Sequence, residues 1–514
     1  MGGGSSNDRR RAKAALFLLA CGLAGLLPHG LGPWGRLLPA VGLAGLLGAH
    51  AVRTVFFRPL GAAVFTTEGS WNGAVASSGA GKPEPPGIRP QDQLLGPGGE
   101  QGSVALSRTR ADSAGLSDAI PAPLPSVDVV VAARDEEAVI ARLVERVLRL
   151  RWPAERLRLW VIDDGSEDRT PQRLAELQEV HPQLRVLRRG RDAGGGKSGA
   201  LNLVLQQLQG RWMLVLDADA DLQPDLLERL IPYAEAGGWA AVQLRKAEVN
   251  AEVNWLTRAQ AMEMAFDAFI QEGRLARGGV AELRGNGQLL RRDAVHTAGG
   301  FNEATITDDL DLSFRFLLAG LPVGVLWDPP VCEEAVLTVP ALWRQRQRWA
   351  EGGLQRFLDY GDQLISDRLN GAQKRDLLAF FILQYVLPVM AVADLAGALL
   401  TRTPPGMWPF SVVALGLSGF SIAAGCGRRS EGPPLPAPTP LHIALAMAYL
   451  LHWFVVIPWV TLKMALLPKK LVWAKTVHRG EEGLEEEASL AALEASLDAE
   501  GITEGIAPLA AEGP

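Results

Sequence analysis

Three cysteines are all that 514 residues contain: Cys21, Cys332 and Cys426, far apart and with no CxxC pair. That scarcity excludes a disulfide framework and a zinc site built on paired thiolates, and three buried thiols are expected instead. Charge is scarce as well, with 21% Asp, Glu, Lys and Arg and a net charge of −6. Without a basic surplus there is no face for a phosphate backbone, so nucleic acid is excluded as the main partner. Long apolar runs are missing from the middle of the chain and concentrate near its start and after Leu377. The pattern implies membrane spans around a soluble centre, in a chain too long for one core.

Residues 1–60 read as a membrane hairpin. Arg9, Arg10, Arg11 and Lys13 precede two apolar stretches, Ala14 to Pro28 and Leu37 to Phe57, split by a Gly/Pro turn. The first is short of the ~20 residues of a spanning helix, the second adequate. No small-residue cleavage site follows the first, which disfavours a signal peptide. Basic residues on both sides of the pair, including Arg53 and Arg58, place both ends in the cytoplasm. Residues 61–125, rich in Gly, Ser, Pro and Ala, read as a disordered linker. A catalytic-type domain is expected at 126–360, an interfacial segment at 361–375, a membrane region at 376–470 and a solvated acidic tail at 471–514.

The membrane region holds three apolar stretches: Leu377 to Leu400, Met407 to Cys426 and Leu441 to Leu467. Three crossings would put their flanks on opposite sides. Yet Lys374 and Arg375 before them, and Lys469, Lys470, Lys475 and Arg479 after them, place both flanks inside. One stretch is therefore expected to be re-entrant or interfacial, and His452 and Pro458 point to the last.

From Val127 strands alternate with helices. VDVVVAA, LRLWVID, LRVLRR and RWMLVLD read as strands, with helices at Glu136 to Leu150, from Pro171, and at Lys197 to Leu208. This is an α/β pattern with a parallel sheet, whose ligands sit at the carboxyl ends of strands. Asp163-Asp164-Gly165 ends the second strand and Asp217-Ala218-Asp219 the fourth. Either could be a plain turn. As function, the first could accept hydrogen bonds from a nucleoside. The second could hold Mg²⁺ or Mn²⁺ against a sugar diphosphate, with Asp221 a spare carboxylate.

Gly194 to Gly199 is not a Walker A loop, because position 191, where its first Gly should stand, is Arg191. It reads as a flexible loop carrying Lys197 to the donor. Thr307-Asp308-Asp309 precedes a helix, where acids cap an N-terminus or supply a general base. Gln345, Arg348 and Trp349 share one helix face and suit a pyrophosphate and a sugar ring, or equally a basic helix at a membrane surface.

In this order DDG, DAD, TDD and QxxRW resemble the family 2 inverting glycosyltransferases over roughly Ser126 to Tyr360. The resemblance implies a GT-A fold, Rossmann-like and mostly parallel, flanked by transmembrane helices. It implies uracil contacts at Ala133, Glu136, Asp163 and Asp164, metal or diphosphate contacts at Asp217 and Asp219, and Asp309 as the base. Gln345, Arg348 and Trp349 would then surround the diphosphate and acceptor, and Asp135 stands where the family usually has Asn. Gly285-Asn286-Gly287-Gln288, Gly299 to Glu303, ITDDLDLSFR and RQRWAEGGLQRFLDY are similar to the cyanobacterial β-glucosyldiacylglycerol-forming branch. That branch implies UDP-glucose as donor, diacylglycerol and membrane lipids as partners, Mg²⁺, and a plasma or thylakoid membrane with the catalytic domain facing the cytoplasm. A processive polysaccharide synthase and a non-catalytic membrane nucleotide sensor are the competing expectations.

Overall fold

A computed structural model of the chain describes residues 3–57 and 124–468. The expected acidic tail, and all but the last two residues of the expected linker, lie outside the described residues.

The chain begins with helices α1 (Gly3–Leu26) and α2 (Pro33–Val55). Then follow β1 (Val127–Ala133), α3 (Ile140–Leu148), β2 (Leu157–Asp164), α4 (Thr170–Val180), β3 (Leu184–Arg189), α5 (Gly196–Leu205) and β4 (Trp212–Leu216). Next come α6 (Leu226–Ala236), β5 (Ala241–Glu248), α7 (Trp255–Ala276), β6 (Gln288–Arg291), α8 (Arg292–Thr297), α9 (Asp308–Leu318) and β7 (Val323–Glu333). The strands form one sheet in the order β3-β2-β1-β4-β6-β5-β7, parallel except at β6, which runs against both its neighbours. All seven residues of β1 are buried, as a strand covered on both faces requires. Its one carboxylate, Asp128, is satisfied by Trp160 Nε1 and the amides of Gln209 and Gly210. Helices α3, α4 and α6 pack one face of the sheet, and α5, α8 and α9 the other.

Two helices differ in extent from their expected bounds. The α3 helix starts at Ile140 rather than Glu136, because Asp135 takes a left-handed backbone at φ 54° and turns the chain first. The amides of Asp135, Glu136 and Glu137 bind Ser166 Oγ, Thr170 Oγ1 and Asp168 instead of forming a first helical turn. Asp tolerates that backbone region better than most residues. The α5 helix stops at Leu205, three residues short of the expected Leu208.

After the sheet come α10 (Val339–Leu364), α11 (Gly371–Phe381), α12 (Leu387–Thr401), α13 (Trp408–Cys426), α14 (Pro440–Leu450) and α15 (Trp453–Leu466). One π turn, Ile382–Val386, joins α11 to α12 where Pro388 has no amide to donate. Among the described residues five segments are long and apolar enough to cross a membrane: Arg9–Gly30, Pro33–Val55, Gly371–Thr401, Trp408–Cys426 and Pro440–Leu466. The first is longer than the apolar stretch alone suggests, since the helix starts before Ala14 and runs through Gly30.

The contacts sort these segments by direction. His29, in the turn after α1, bonds Asp394 Oδ1 at 2.9 Å and Thr403 Oγ1 at 2.7 Å, near the end of α12. The amides of Gly406 and Met407, leading into α13, cap the same Asp394. At the opposite ends, His50 of α2 meets Asp376 of α11, and Gly425 of α13 packs on Ala265 of α7. Four segments thus run between the sheet domain and a far turn. The fifth does not. Residues leading into it bind the sheet domain through Arg428–Glu272 and Glu431–Arg229. Its middle binds Glu263 of α7 through Tyr449 and Trp453. Its end returns with Lys463 3.4 Å from Glu351 and the Leu466 carbonyl accepting from Arg11. The last apolar segment, broken at Leu451–His452 between α14 and α15, therefore leaves from and returns to one side.

Candidate active site

The carboxyl ends of β1, β2 and β4 face a cavity of about 1100 Å³. Its wall includes Glu136, Asp164, Lys197, Asp217, Asp219, Asp309, Gln345, Arg348 and Trp349, so residues spread over more than 200 positions of sequence meet there. Ala133 and Asp163 do not line it. Both are buried, and Asp163 caps the turn by accepting from the Ser166 amide at 2.9 Å while its other oxygen lies 3.2 Å from Arg188 Nε. Asp164 faces the cavity with Arg189 Nη1 at 2.7 Å; burial pushes its carboxyl above the usual range and Arg189 opposes that.

Arg189 was not foreseen from the motifs. It also donates to the carbonyls of Gly194 and Gly196, pinning the glycine loop to the end of β2. Its register opposite Asp164 on the neighbouring strand was the available clue. Within that loop Gly195 has φ 69°, and a Cβ there would fall against the Glu303 carboxylate.

Lys197 Nζ lies 2.5 Å from Asp217 Oδ1. Burial works against its charge, but Asp217, Asp308 and Asp309 outweigh it and hold the ammonium above its ordinary range. The Asp217 amide is held by Asn286 Oδ1 at 3.0 Å, and Asn286 donates to Glu333 at 3.1 Å, so the GNGQ segment fixes the DAD turn. Asp219 accepts from the Glu334 amide at 3.1 Å. Asp221, the expected spare carboxylate, points elsewhere: Arg146 Nε of α3 lies 3.1 Å away, and its backbone pairs with Cys332. Alternate residues share a face only while the strand persists, and the turn after Leu216 ends that pattern. Among the described residues no group of three or more His, Cys, Asp or Glu side chains could enclose a metal. Asp217 and Asp219 on one wall nevertheless fit an ion such as Mg²⁺, which takes one or two carboxylates and completes its shell with phosphate and water.

Asp309 occupies the first turn of α9. Burial, and then Asp308, push its carboxyl up to about 6, with the Leu310 amide, Lys197 and Arg284 acting against them. Such a carboxyl is mostly ionised at neutral pH and can take up a proton there. Asp311 of the same turn is structural, accepting from Tyr360, Asn302 and Arg315.

Gln345, Arg348 and Trp349 reach the cavity from α10. Burial pulls Arg348 down from the usual guanidinium range, against Asp217, Asp309 and Asp308. Arg346, between them in sequence, turns the other way onto Glu263 at 2.5 Å and Tyr449 at 2.8 Å. The Trp349 ring has Arg346 Cζ at 4.0 Å and Lys246 Nζ at 5.3 Å from its centroid, so two cations already lie against it. Lys246, paired with Glu333 at 2.5 Å, is a second wall residue that no motif announced.

The description "Glycosyltransferase like family 2" fits residues 125–352. The β-monoglucosyldiacylglycerol synthase of Synechocystis sp. is 47% identical over 366 residues, covering 70% of this chain and 76% of that one. This chain belongs to glycosyltransferase family 2. The enzyme of the same name from Nostoc sp. is 44% identical over 365 residues, 70% of this chain and 78% of the other. Among solved structures, a mannosyltransferase from Pyrobaculum calidifontis in complex with GDP-Man and Mn²⁺ has 19% identity and a TM-score of 0.46, covering 66% and 87% of the two chains. The sheet of this family 2 member is of the GT-A type, and the protein is a glycosyltransferase with membrane-associated helices.

Proposed function

We propose that the protein transfers glucose from UDP-glucose to diacylglycerol with inversion, forming β-monoglucosyldiacylglycerol and UDP. One observation carries this reading beyond the names of the relatives. The cavity that holds Asp217 and Asp309 continues without interruption into the helical bundle, where Leu387, Phe410 and Ala414 line it. A water-soluble acceptor has no use for such an extension, and a growing polysaccharide needs a polar one.

In this reading Asp164 and Glu136 hold the nucleoside at the ends of β2 and β1. Lys197 and Arg348 lie against the diphosphate. Mg²⁺ or Mn²⁺ bound by Asp217 and Asp219 would supply neutralisation of the diphosphate charge as it leaves. Asp309 accepts the proton of the acceptor hydroxyl as that oxygen bonds the sugar's anomeric carbon. The bond to the diphosphate breaks on the opposite side and its electron pair departs with UDP, so the α-linked donor gives a β product. The catalytic domain faces the cytoplasm, where the donor is made available.

The test is to incubate the purified protein in nanodiscs with labelled UDP-glucose, dioleoylglycerol and Mg²⁺. Label in a chloroform-soluble glucolipid is expected, lost with EDTA and restored by Mg²⁺. Label in polymer would overturn the acceptor. Activity undiminished by EDTA would overturn the metal. An Asp309→Asn variant with intact turnover would overturn the base, and a native protein that binds UDP but transfers no glucose to lipid or polymer would leave a nucleotide sensor in the enzyme's place.

A further inference from the structure

The cavity changes character along its length. Its upper part carries the carboxylates and cations of the donor site. Below Asp309 comes a short neck of ion pairs, and below that an arm lined by aliphatic and aromatic side chains.

The neck can be followed contact by contact. A Cβ on Gly285 would lie 3.6 Å from Asp309 Oδ2, and the next residue, Arg284, pairs with Asp267 at 3.1 Å and Glu282 at 2.8 Å. Glu282 also meets Arg356 at 3.2 Å and Arg274 at 3.8 Å. Arg274 in turn holds Asp376 at 3.0 Å, and Asp376 faces His50 of α2 at 3.6 Å. Three guanidinium groups thus stand against three carboxylates, and every one of the three is already paired. A head group passing this neck finds hydrogen-bonding partners but no spare positive charge.

The arm begins two residues from His50, where Gly48 of α2 approaches Val413 of α13. Ala51, Leu387, Ala391, Ala414, Leu417 and Phe454 line it. Along α13 its wall runs from Ser421 to Phe410, eleven helical steps or about 16 Å. Phe410 stands two residues from the far end of the helix at Trp408, so the arm reaches toward the far turn.

We infer that this arm between α2, α12 and α13 is the acceptor's acyl-chain site, and that the ion-paired neck above it admits an uncharged glycerol head group and rejects a phosphate-bearing one. The inference rests on the lipid-acceptor reading above and adds where the lipid lies and which head group is selected. An acyl chain fills the arm while the free hydroxyl reaches Asp309. Arg356 Nε and Nη1 are left as hydrogen-bond donors, but a phosphate monoester would add negative charge to a neck whose three carboxylates already balance its three guanidinium groups.

Three measurements on the full chain in nanodiscs test this. A diacylglycerol carrying a diazirine in its acyl chain, photolysed with the native protein, should label peptides containing Ala391, Ala414 or Leu417. Label confined to outward-facing residues such as Leu400 or Val412 would overturn the site. Ala414→Trp should lower transfer to dioleoylglycerol at least tenfold while leaving transfer to dihexanoylglycerol and UDP binding within twofold. Equal transfer to both acceptors at the native rate would overturn it, and loss of UDP binding would mark a misfolded variant and leave the native-chain labelling to decide. Dioleoyl phosphatidate at tenfold excess should reduce native transfer less than twofold, and strong competition would overturn the selectivity of the neck. If the native protein makes no glucolipid at all, the acceptor reading itself fails; if it does and these results go the other way, only the site and its selectivity fall.

Discussion

At Asp309 the chemistry of the site reduces to one proton. Its carboxyl is raised to about 6 mainly by burial, then by Asp308 beside it. A base works only when deprotonated, so kcat/KM should rise about tenfold per pH unit up to about 6 and level off above it. A pH–rate profile from 4.5 to 8 checks the inflection. Asp309→Asn should lower kcat at least about 100-fold while UDP binding persists. The same scale shows what sequence could and could not reveal. Asp164, Asp217 and Asp309 announced themselves because each sits beside a strand end or helix start. Arg189, Lys246 and Arg284 did not, since an isolated arginine or lysine in a strand or loop carries no signature until its partner arrives from elsewhere in the chain. Asp221 misled for the converse reason: adjacency in sequence suggested a shared face that the turn after β4 removes.

The elements show the same division. The strands β1 to β4 and the placement of the motif-bearing helices were legible, because apolar runs and turn residues repeat at the spacing a parallel sheet imposes. The antiparallel insertion of β6 was not, being four residues long and decided by its neighbours β4 and β5. Helix α10 illustrates a further kind of information. Its Gly352 packs on Thr307 of the TDD segment and its Gly353 on the Tyr385 hydroxyl of the π turn, each so closely that a Cβ would overlap the neighbour. Two consecutive glycines weaken a helix by about 1 kcal/mol each, and here they bring the TDD segment, the QxxRW helix and the helical bundle into direct contact. Gly353→Ala should therefore destabilise by about 1–3 kcal/mol despite the better helix propensity of alanine. Thermal unfolding in detergent checks it, and adding Tyr385→Phe should return part of the loss, because the overlapping atom is the hydroxyl.

For the whole molecule the telling feature is the last apolar segment, whose approach and end both rest on the catalytic domain. Length and composition alone count five crossings; the contacts give four, which agrees with basic residues at both flanks. Val180, Leu467 and Leu31 are all exposed. In a background without the three native cysteines, Val180→Cys and Leu467→Cys should react together with an impermeant maleimide in sealed vesicles of one orientation, and Leu31→Cys only in the other. Labelling of Leu467→Cys together with Leu31→Cys would restore the fifth crossing.

The placing of Asp309 on the sheet side of the helical bundle carries a consequence for the bilayer rather than for the enzyme. On the proposed function the acceptor hydroxyl meets the sugar there, so the glucolipid would form in the leaflet on that side. Each turnover would then exchange a small-headed, negatively curving lipid for a larger-headed one in that leaflet, and synthesis itself would create compositional asymmetry and lateral stress. Relief of that stress would depend on transbilayer movement of lipid.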